Sequence, residues 1–158
     1  MNRSFAILSA VLAFSAPAYA QSSASHNVSV QLLELSDISI DGGDVSIVLD
    51  EFDSSTNWVK PESDQSTELE FRHTSAASQK ITVETDNADP AFDLSVEARD
   101  PSNGTAAGDV QLSTVSQDFL SDIAAGQGEA DLRYTASAPM GAAAGTDSHT
   151  VTYTLLAM

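Results

Sequence analysis

Apolar and polar residues alternate with a period of two along much of this chain, and that period constrains the fold more than any other feature of the sequence. Alternation of this kind places every second side chain on one face of a β-sheet. The pattern therefore predicts an all-β protein. The apolar positions that carry it are Val28, Val30, Leu32, Ile38, Ile40, Val45, Ile47, Leu49, Leu69, Phe71, Ile81, Val83, Phe92, Leu94, Val96, Val110, Leu112, Leu132, Tyr134, Ala136, Val151, Tyr153 and Leu155.

The order of these runs along the chain predicts two strand pairs. Residues 38–49 flank the sequence Asp41-Gly42-Gly43-Asp44, whose residues tolerate positive φ, and this stretch predicts a hairpin. Near the end of the chain, the runs at 132–136 and 151–155 predict a second antiparallel pair. All four prolines after residue 20 fall between the runs, where they remove no ladder hydrogen bond: Pro61, Pro90, Pro101 and Pro139.

One short helix is expected over residues 116–125. Phe119, Leu120 and Ile123 have helical spacing, and Ser116 could cap the first turn. Together with the alternating runs, these features predict an antiparallel β-sandwich of the immunoglobulin-like or pilin-like kind, with about seven to nine strands and one short helix.

The first twenty residues have the layout of a secretory signal peptide. Arg3 precedes a run of apolar residues at 5–14, and Ala18-Tyr19-Ala20 forms a small-x-small cleavage site before Gln21. The run is too short to span a membrane. We therefore expect residues 1–20 to be removed and residues 21–158 to form a single exported domain, located in the periplasm, on the cell surface or outside the cell.

Charge and composition exclude several classes of protein. Arg3 lies in the expected signal peptide, so the remaining chain has 5 basic and 23 acidic residues, a net charge of −18. Such a chain has no basic patch for nucleic acid or an anionic membrane. The absence of cysteine excludes a disulfide scaffold, a zinc ribbon and a thiol enzyme. A strongly acidic surface with two lysines also suits a salty environment, where cations screen self-repulsion.

The sequence contains no catalytic motif, and we expect a protein that is not an enzyme. There is no G-x-S-x-G, no H-E-x-x-H and no P-loop. His26, His73 and His149 are far apart and read as ordinary surface residues.

Calcium is the one cofactor that the sequence leaves open. Hard cations bind oxygen ligands clustered in loops, and three Asp-rich loops offer them. None matches an EF-hand, and Asp and Gly are also the default residues of turns. The candidate calcium ligands are Asp41, Asp44, Asp86, Asp89, Asp100 and Asp109.

Two further segments are candidates for binding. Trp58 lies in a polar loop, where it could stack on a sugar ring of an extracellular polysaccharide or fold back over the end of the domain. Val28, Val30 and Leu32 belong to the alternating run at residues 26–35, close to the expected new N-terminus. Such a run can pair within its own sheet or be donated to the sheet edge of another copy.

The last third of the chain resembles small secreted bacterial surface and fimbrial-type proteins. The matching residues are 110–114, the sequence ADLRYTASA at 130–138, Gly145-Thr146, and VTYTL at 151–155, within residues 109–158. The resemblance implies an immunoglobulin-like or pilin-like sandwich with a structural or adhesive role. This chain lacks the disulfide found in many chaperone-assembled pilins.

These observations lead to two functional expectations. The first is a secreted, non-enzymatic structural or surface protein that assembles with itself into a fibre, pilus or matrix. The alternative is an extracellular binding module for carbohydrate or calcium. Neither reading involves nucleic acid, or insertion into a membrane once the signal peptide has been removed.

Overall fold

The computed structural model describes residues 24–158, so the expected signal peptide at residues 1–20 lies outside the described residues. Residues 24–158 are all-β, with eleven strands and no helix, and thus no helix long and apolar enough to cross a membrane. The strands are β1 (Ser36–Asp41), β2 (Phe52–Asp53), β3 (Trp58–Val59), β4 (Glu62–His73), β5 (Gln79–Thr85), β6 (Asp93–Arg99), β7 (Thr105–Ala106), β8 (Asp109–Gln111), β9 (Gln117–Ile123), β10 (Gly126–Ser137) and β11 (Val151–Ala157).

The strands form two main antiparallel sheets. The first has the order β1-β4-β10-β6-β8, and the second has the order β11-β5-β9-β7. The strands β2 and β3 form a separate two-stranded ribbon. Among the described residues, the edges of the two main sheets are therefore β1 and β8 in the first, and β11 and β7 in the second.

Side chains from both main sheets form one hydrophobic core, within a compact unit that spans residues 32–158. The predicted alternation is confirmed on β4, where Leu69 and Phe71 are buried, and on β5, where Ile81 and Val83 are buried. Each fully buried side chain of this size is worth about 1.5–3 kcal/mol, so this core holds the two sheets together without cysteine.

The predicted helix at residues 116–125 is wrong, because this segment forms β9. Its pairing with β5 moves from Gln79 opposite Ile123 to Ile81 opposite Leu120, which leaves one extra residue on β9. Asp122 takes up this β-bulge with a φ of 54°. A second register shift follows, from Ile81 opposite Leu120 to Thr82 opposite Asp118, and leaves Phe119 as another extra residue on β9. The two shifts break the alternation and bury Phe119, Leu120 and Ile123 together, which imitates helical spacing.

The predicted hairpin over residues 38–49 is also wrong. The strand β1 pairs with β4 instead, with Ile38 opposite Phe71. Gly42 has a φ of 104° and lies so close to the carbonyl of Ser66 that a Cβ there would overlap it. The chain then continues without a strand, although Val45 and Ile47 still pack against the core.

The predicted pairing of residues 132–136 with 151–155 is also wrong, because each run pairs with other strands. The strand β10 pairs with β4 and β6, whereas β11 pairs with β5. The two runs lie in different sheets, and Tyr134 and Tyr153 meet across the core.

Candidate functional site

Residues 24–35, which precede β1, expose an unusual number of large apolar side chains. The expected strand over residues 26–35 is not formed, and Val28, Val30 and Leu32 are 74, 90 and 76% exposed. Leu33 and Leu35 are 63 and 62% exposed. A run of large apolar side chains this exposed is typical of a surface that a partner covers.

Hydrogen bonds attach the last three residues of this segment to the turn after β4. The hydroxyl of Thr74 donates to the carbonyl of Leu33 at 3.1 Å and accepts from the backbone N–H of Leu35 at 2.8 Å. The backbone N–H of Thr74 donates to the carbonyl of Leu35 at 2.9 Å. Ser75 donates to the carboxylate of Glu34 at 3.3 Å. Residues 33–35 thus have fixed partners in the domain.

The six candidate calcium ligands do not form a metal site in the described part of the chain. No group of three or more acidic or histidine side chains there is arranged to hold a metal ion. Three of the six instead accept hydrogen bonds that stabilise turns or strand ends. Asp41 accepts from the N–H of Gly42 at 2.9 Å, Asp86 from the N–H of Thr150 at 2.7 Å, and Asp109 from the hydroxyl of Ser95 at 2.8 Å. Asp44, Asp89 and Asp100 are exposed.

Strand register gathers a different set of acidic residues, which we call the carboxylate face. On the outer side of the first sheet, Glu68 lies opposite Asp41 on β1 and opposite Asp131 on β10, and Glu70 lies opposite Glu129. Like charges directly opposite each other destabilise a sheet. Partial burial and the four neighbouring carboxylates raise the pKa of Glu68.

A groove of about 630 Å³ lies beside the carboxylate face, across β1, β4 and β10. Glu70 and Glu129 line it, but so does Arg72, which forms an ion pair with Asp37 at 2.8 Å. The groove therefore has charges of both signs.

Sequence reasoning also missed a partly buried carboxylate that joins two loops. The side chain of Asp147 is 16% exposed and accepts hydrogen bonds from the backbone N–H groups of Ala91 at 2.7 Å, Phe92 at 3.3 Å and Ser148 at 2.9 Å. The side-chain amide of Asn87 donates to it at 2.7 Å. Because Asp147 lies in a Gly- and Ala-rich stretch with no motif, only the three-dimensional fold identifies it.

A histidine and a threonine lie beside Asp147, but they do not form a hydrolytic triad. One ring nitrogen of His149 is 3.6 Å from the carboxylate of Asp147, and the other is 3.2 Å from the hydroxyl of Thr85. The Thr85 residue is 3% exposed, so a substrate cannot reach its hydroxyl. The cluster therefore stabilises the two loops.

The expectation that all three histidines are ordinary surface residues is wrong for His149, whose side chain is 11% exposed, and for His73. This residue is 3% exposed, because it ends the buried face of β4. Its Nε2 lies 3.3 Å from the carbonyl of Ile123. Its Nδ1 is buried without a hydrogen-bond partner.

Trp58 is half-buried and folds against the chain. Its indole N–H donates to the carbonyl of Ala138 at 2.9 Å, just after the end of β10. Phe52, on the neighbouring strand of the β2–β3 ribbon, is 78% exposed.

Comparison of the chain with protein-family models, with curated proteins and with solved structures finds no match.

Proposed function

We propose that this protein is an exported, non-enzymatic structural or surface subunit that assembles with copies of itself. Its two sheets form a β-sandwich of the immunoglobulin-like or pilin-like kind, and the segment containing Val28, Val30 and Leu32 is donated to a sheet edge of a neighbouring copy. The observation that carries the proposal is the exposure of these three side chains, which is 74% or more.

The donated segment has the pattern of a strand that is dry on one face. Val28, Val30 and Leu32 alternate with the polar residues Ser29 and Gln31. Burying each of the three apolar side chains contributes about 1.5–3 kcal/mol, and backbone hydrogen bonds to an edge strand add to this. Pairing with another copy therefore gives the segment the backbone hydrogen bonds to a neighbouring strand that residues 26–35 do not form in the single chain.

Charge separates this segment from the rest of the chain. Residues 21–33 contain no Asp, Glu, Lys or Arg, whereas the expected exported form has a net charge of −18. Two copies of an acidic domain repel each other. Because the donated segment is uncharged, it lets one copy contact another with little added repulsion. Salt screens the remaining repulsion, so assembly is expected to increase with ionic strength.

A matched pair of substitutions tests the proposal. The full 158-residue chain is produced in an exporting host, and the recovered protein is sized by light scattering and imaged by electron microscopy. We expect the wild-type protein to form oligomers or fibres in high salt and Val30→Asp to abolish them. Val48→Asp is the control, because Val48 is 66% exposed and lies outside the strands. A wild-type protein that stays monomeric at every salt and protein concentration contradicts the proposal.

Export has its own test. N-terminal sequencing of the recovered protein is expected to begin at Gln21, after the small-x-small site. Retention of the first twenty residues, or failure to leave the cytoplasm, contradicts export.

A further inference from the structure

We infer that the acceptor of the donated segment is the outer edge of β11 in a second copy of the chain, an edge that no strand within residues 24–158 pairs with. The inference rests on the proposed function and adds the identity of the edge. It follows from a comparison of the four edges of the two main sheets, from the side chains that flank β11, and from the length and charge of the segment.

Edge strands of soluble proteins are protected by charged residues, proline, bulges or short length. Three of the four edges have such protection. The strands β7 and β8 have two and three residues, and β8 begins with Asp109. The strand β1 has six residues but carries Asp37 and Asp41.

The fourth edge, β11, has none of these protections. Its seven residues are Val-Thr-Tyr-Thr-Leu-Leu-Ala, with no charge, no proline and no glycine. Its pairing with β5 runs without a break from Val151 opposite Thr85 to Ala157 opposite Gln79. A regular, uncharged edge of this length is suited to receiving another strand.

A further open stretch of edge exists on β4, beyond the end of β1, but its chemistry is unfavourable. Residues 62–67 of β4 pair with β10 on one side only. They include Glu62 and Asp64, and residues 46–51 border them across a cavity of about 320 Å³. Lys60 forms ion pairs there with Glu51 at 3.0 Å and with Glu62 at 2.8 Å. This stretch is already flanked by the protein's own chain.

The faces of the donor and of β11 match. Along β11, Val151, Tyr153 and Leu155 point toward the core, and Thr152 and Thr154 are exposed. Residues directly opposite each other on neighbouring strands share a face. One register therefore places the three apolar donor side chains beside the core-facing residues of β11, and Ser29 and Gln31 beside its threonines.

Apolar surface near β11 remains available for such a strand. Leu156 is 42% exposed, and Met158, just beyond the strand, is 64% exposed. The strand β1 lies beside β11, and its Ile40 is 45% exposed. A strand added to β11 would cover part of this surface. The same pairing would remove the side chains of Val28, Val30 and Leu32 from contact with water.

Cysteine cross-linking locates the acceptor, since the natural chain has no cysteine to interfere. Donor variants Ser29→Cys and Gln31→Cys are each mixed with acceptor variants Thr152→Cys and Thr154→Cys, under the salt conditions in which the wild-type protein assembles. The matched controls are Gln111→Cys on β8 and Ser39→Cys on β1, which are exposed positions on the other two edges that carry a strand of three or more residues. Mass spectrometry identifies the joined cysteines, and circular dichroism confirms that each variant folds.

We expect at least about tenfold more disulfide between the donor and β11 variants than between the donor and either control, because pairing raises the effective concentration of the two thiols. Equal cross-linking to Gln111→Cys or Ser39→Cys overturns the assignment to β11. So does a Ser29→Cys/Thr154→Cys double variant that links only within one chain. If the wild-type protein assembles and Val30→Asp abolishes assembly while β11 does not cross-link, the acceptor is wrong and the proposed function stands. If nothing assembles, both fail.

Discussion

The hydroxyl groups of Tyr134 and Tyr153 lie 2.9 Å apart and join the two main sheets through the core. Tyr134 belongs to β10 of the first sheet, and Tyr153 belongs to β11 of the second. Both residues are buried, at 7 and 9% exposure. Burial raises the pKa of both phenols, and the neighbouring Tyr134 raises that of Tyr153 further. The pair is therefore a neutral polar link between the two sheets.

The first prediction concerns the energetic coupling of these two tyrosines. Tyr134→Phe and Tyr153→Phe are each expected to lower the free energy of unfolding by about 1–2 kcal/mol, because each leaves the other buried hydroxyl without its partner. The double variant should lose less free energy of unfolding than the sum of the two single losses, since it leaves no buried hydroxyl without a partner. Urea unfolding of the four proteins measures the coupling, and simple additivity would show that the hydroxyl groups do not interact in solution.

The second prediction concerns alkaline pH. A phenol whose folded pKa is raised contributes stability that is complete below the unfolded value of about 10 and is lost as pH rises above it. The free energy of unfolding should therefore fall above about pH 10. The Tyr134→Phe/Tyr153→Phe protein has neither phenol, so the decrease caused by their ionisation should be absent from it. Tyr19 lies in the expected signal peptide, so the phenolate absorbance of the exported form reports on this pair alone. Ionisation of both phenols before unfolding would contradict their burial.

The sequence shows which face of a strand is buried, but it does not show which strands are neighbours. Alternation identifies the inward positions of β4 and β5 correctly, because the period of a strand is a local property. The pairing of β10 with β4 and β6 joins residues that are distant in sequence, and the pattern of each strand is compatible with many partners. At Asp122 even the local period fails, since a bulge inserts one residue.

The same limit applies to the candidate sites. The alternation of Val28, Val30 and Leu32 is visible in the sequence, but their exposure is visible only in the structure. The carboxylate face arises from strand register, so no sequence motif could predict that Glu68 and Asp131 lie opposite each other. The Asp-rich loops are recognisable in the sequence. Because turns and calcium sites use the same residues, however, the sequence does not distinguish a turn from a calcium site.

The third prediction concerns the carboxylate face. A carboxyl group whose folded pKa is raised is most favourable to folding below its unfolded pKa, and this contribution is lost as pH rises through the folded value. At neutral pH, Glu68→Gln is therefore expected to raise the free energy of unfolding. The gain should be larger in about 10 mM salt than in about 1 M salt, where charges are screened. Glu84→Gln, which lies opposite Thr152 on β11, is the control, and an equal gain there would point to net charge alone.

The fourth prediction concerns Trp58, the only tryptophan of the chain. Trp58→Phe removes the hydrogen bond to the carbonyl of Ala138 and is expected to lower the free energy of unfolding by about 1 kcal/mol. Phe52→Ala, on the neighbouring strand, should change it by less than about 0.5 kcal/mol, because Phe52 is exposed. Denaturant unfolding measures both. If Trp58→Phe is as stable as the wild-type protein but loses retention on a glycan array, Trp58 binds sugar instead.

The fifth prediction concerns Asp147, which joins the loop after β5 to the connection before β11. Burial opposes its charged form, but the backbone N–H groups of Phe92, Ser148 and Ala91, with His149, together lower its pKa. A carboxyl group with a lowered folded pKa contributes stability above its unfolded value, and this is lost as pH falls through the folded value. Asp147→Ala should therefore cost about 1–3 kcal/mol at neutral pH, and the difference from the wild-type protein should shrink below about pH 4. Asp93→Ala, at an exposed position on β6, is the control; a difference for Asp147→Ala that stays constant with pH would show that charge plays no part.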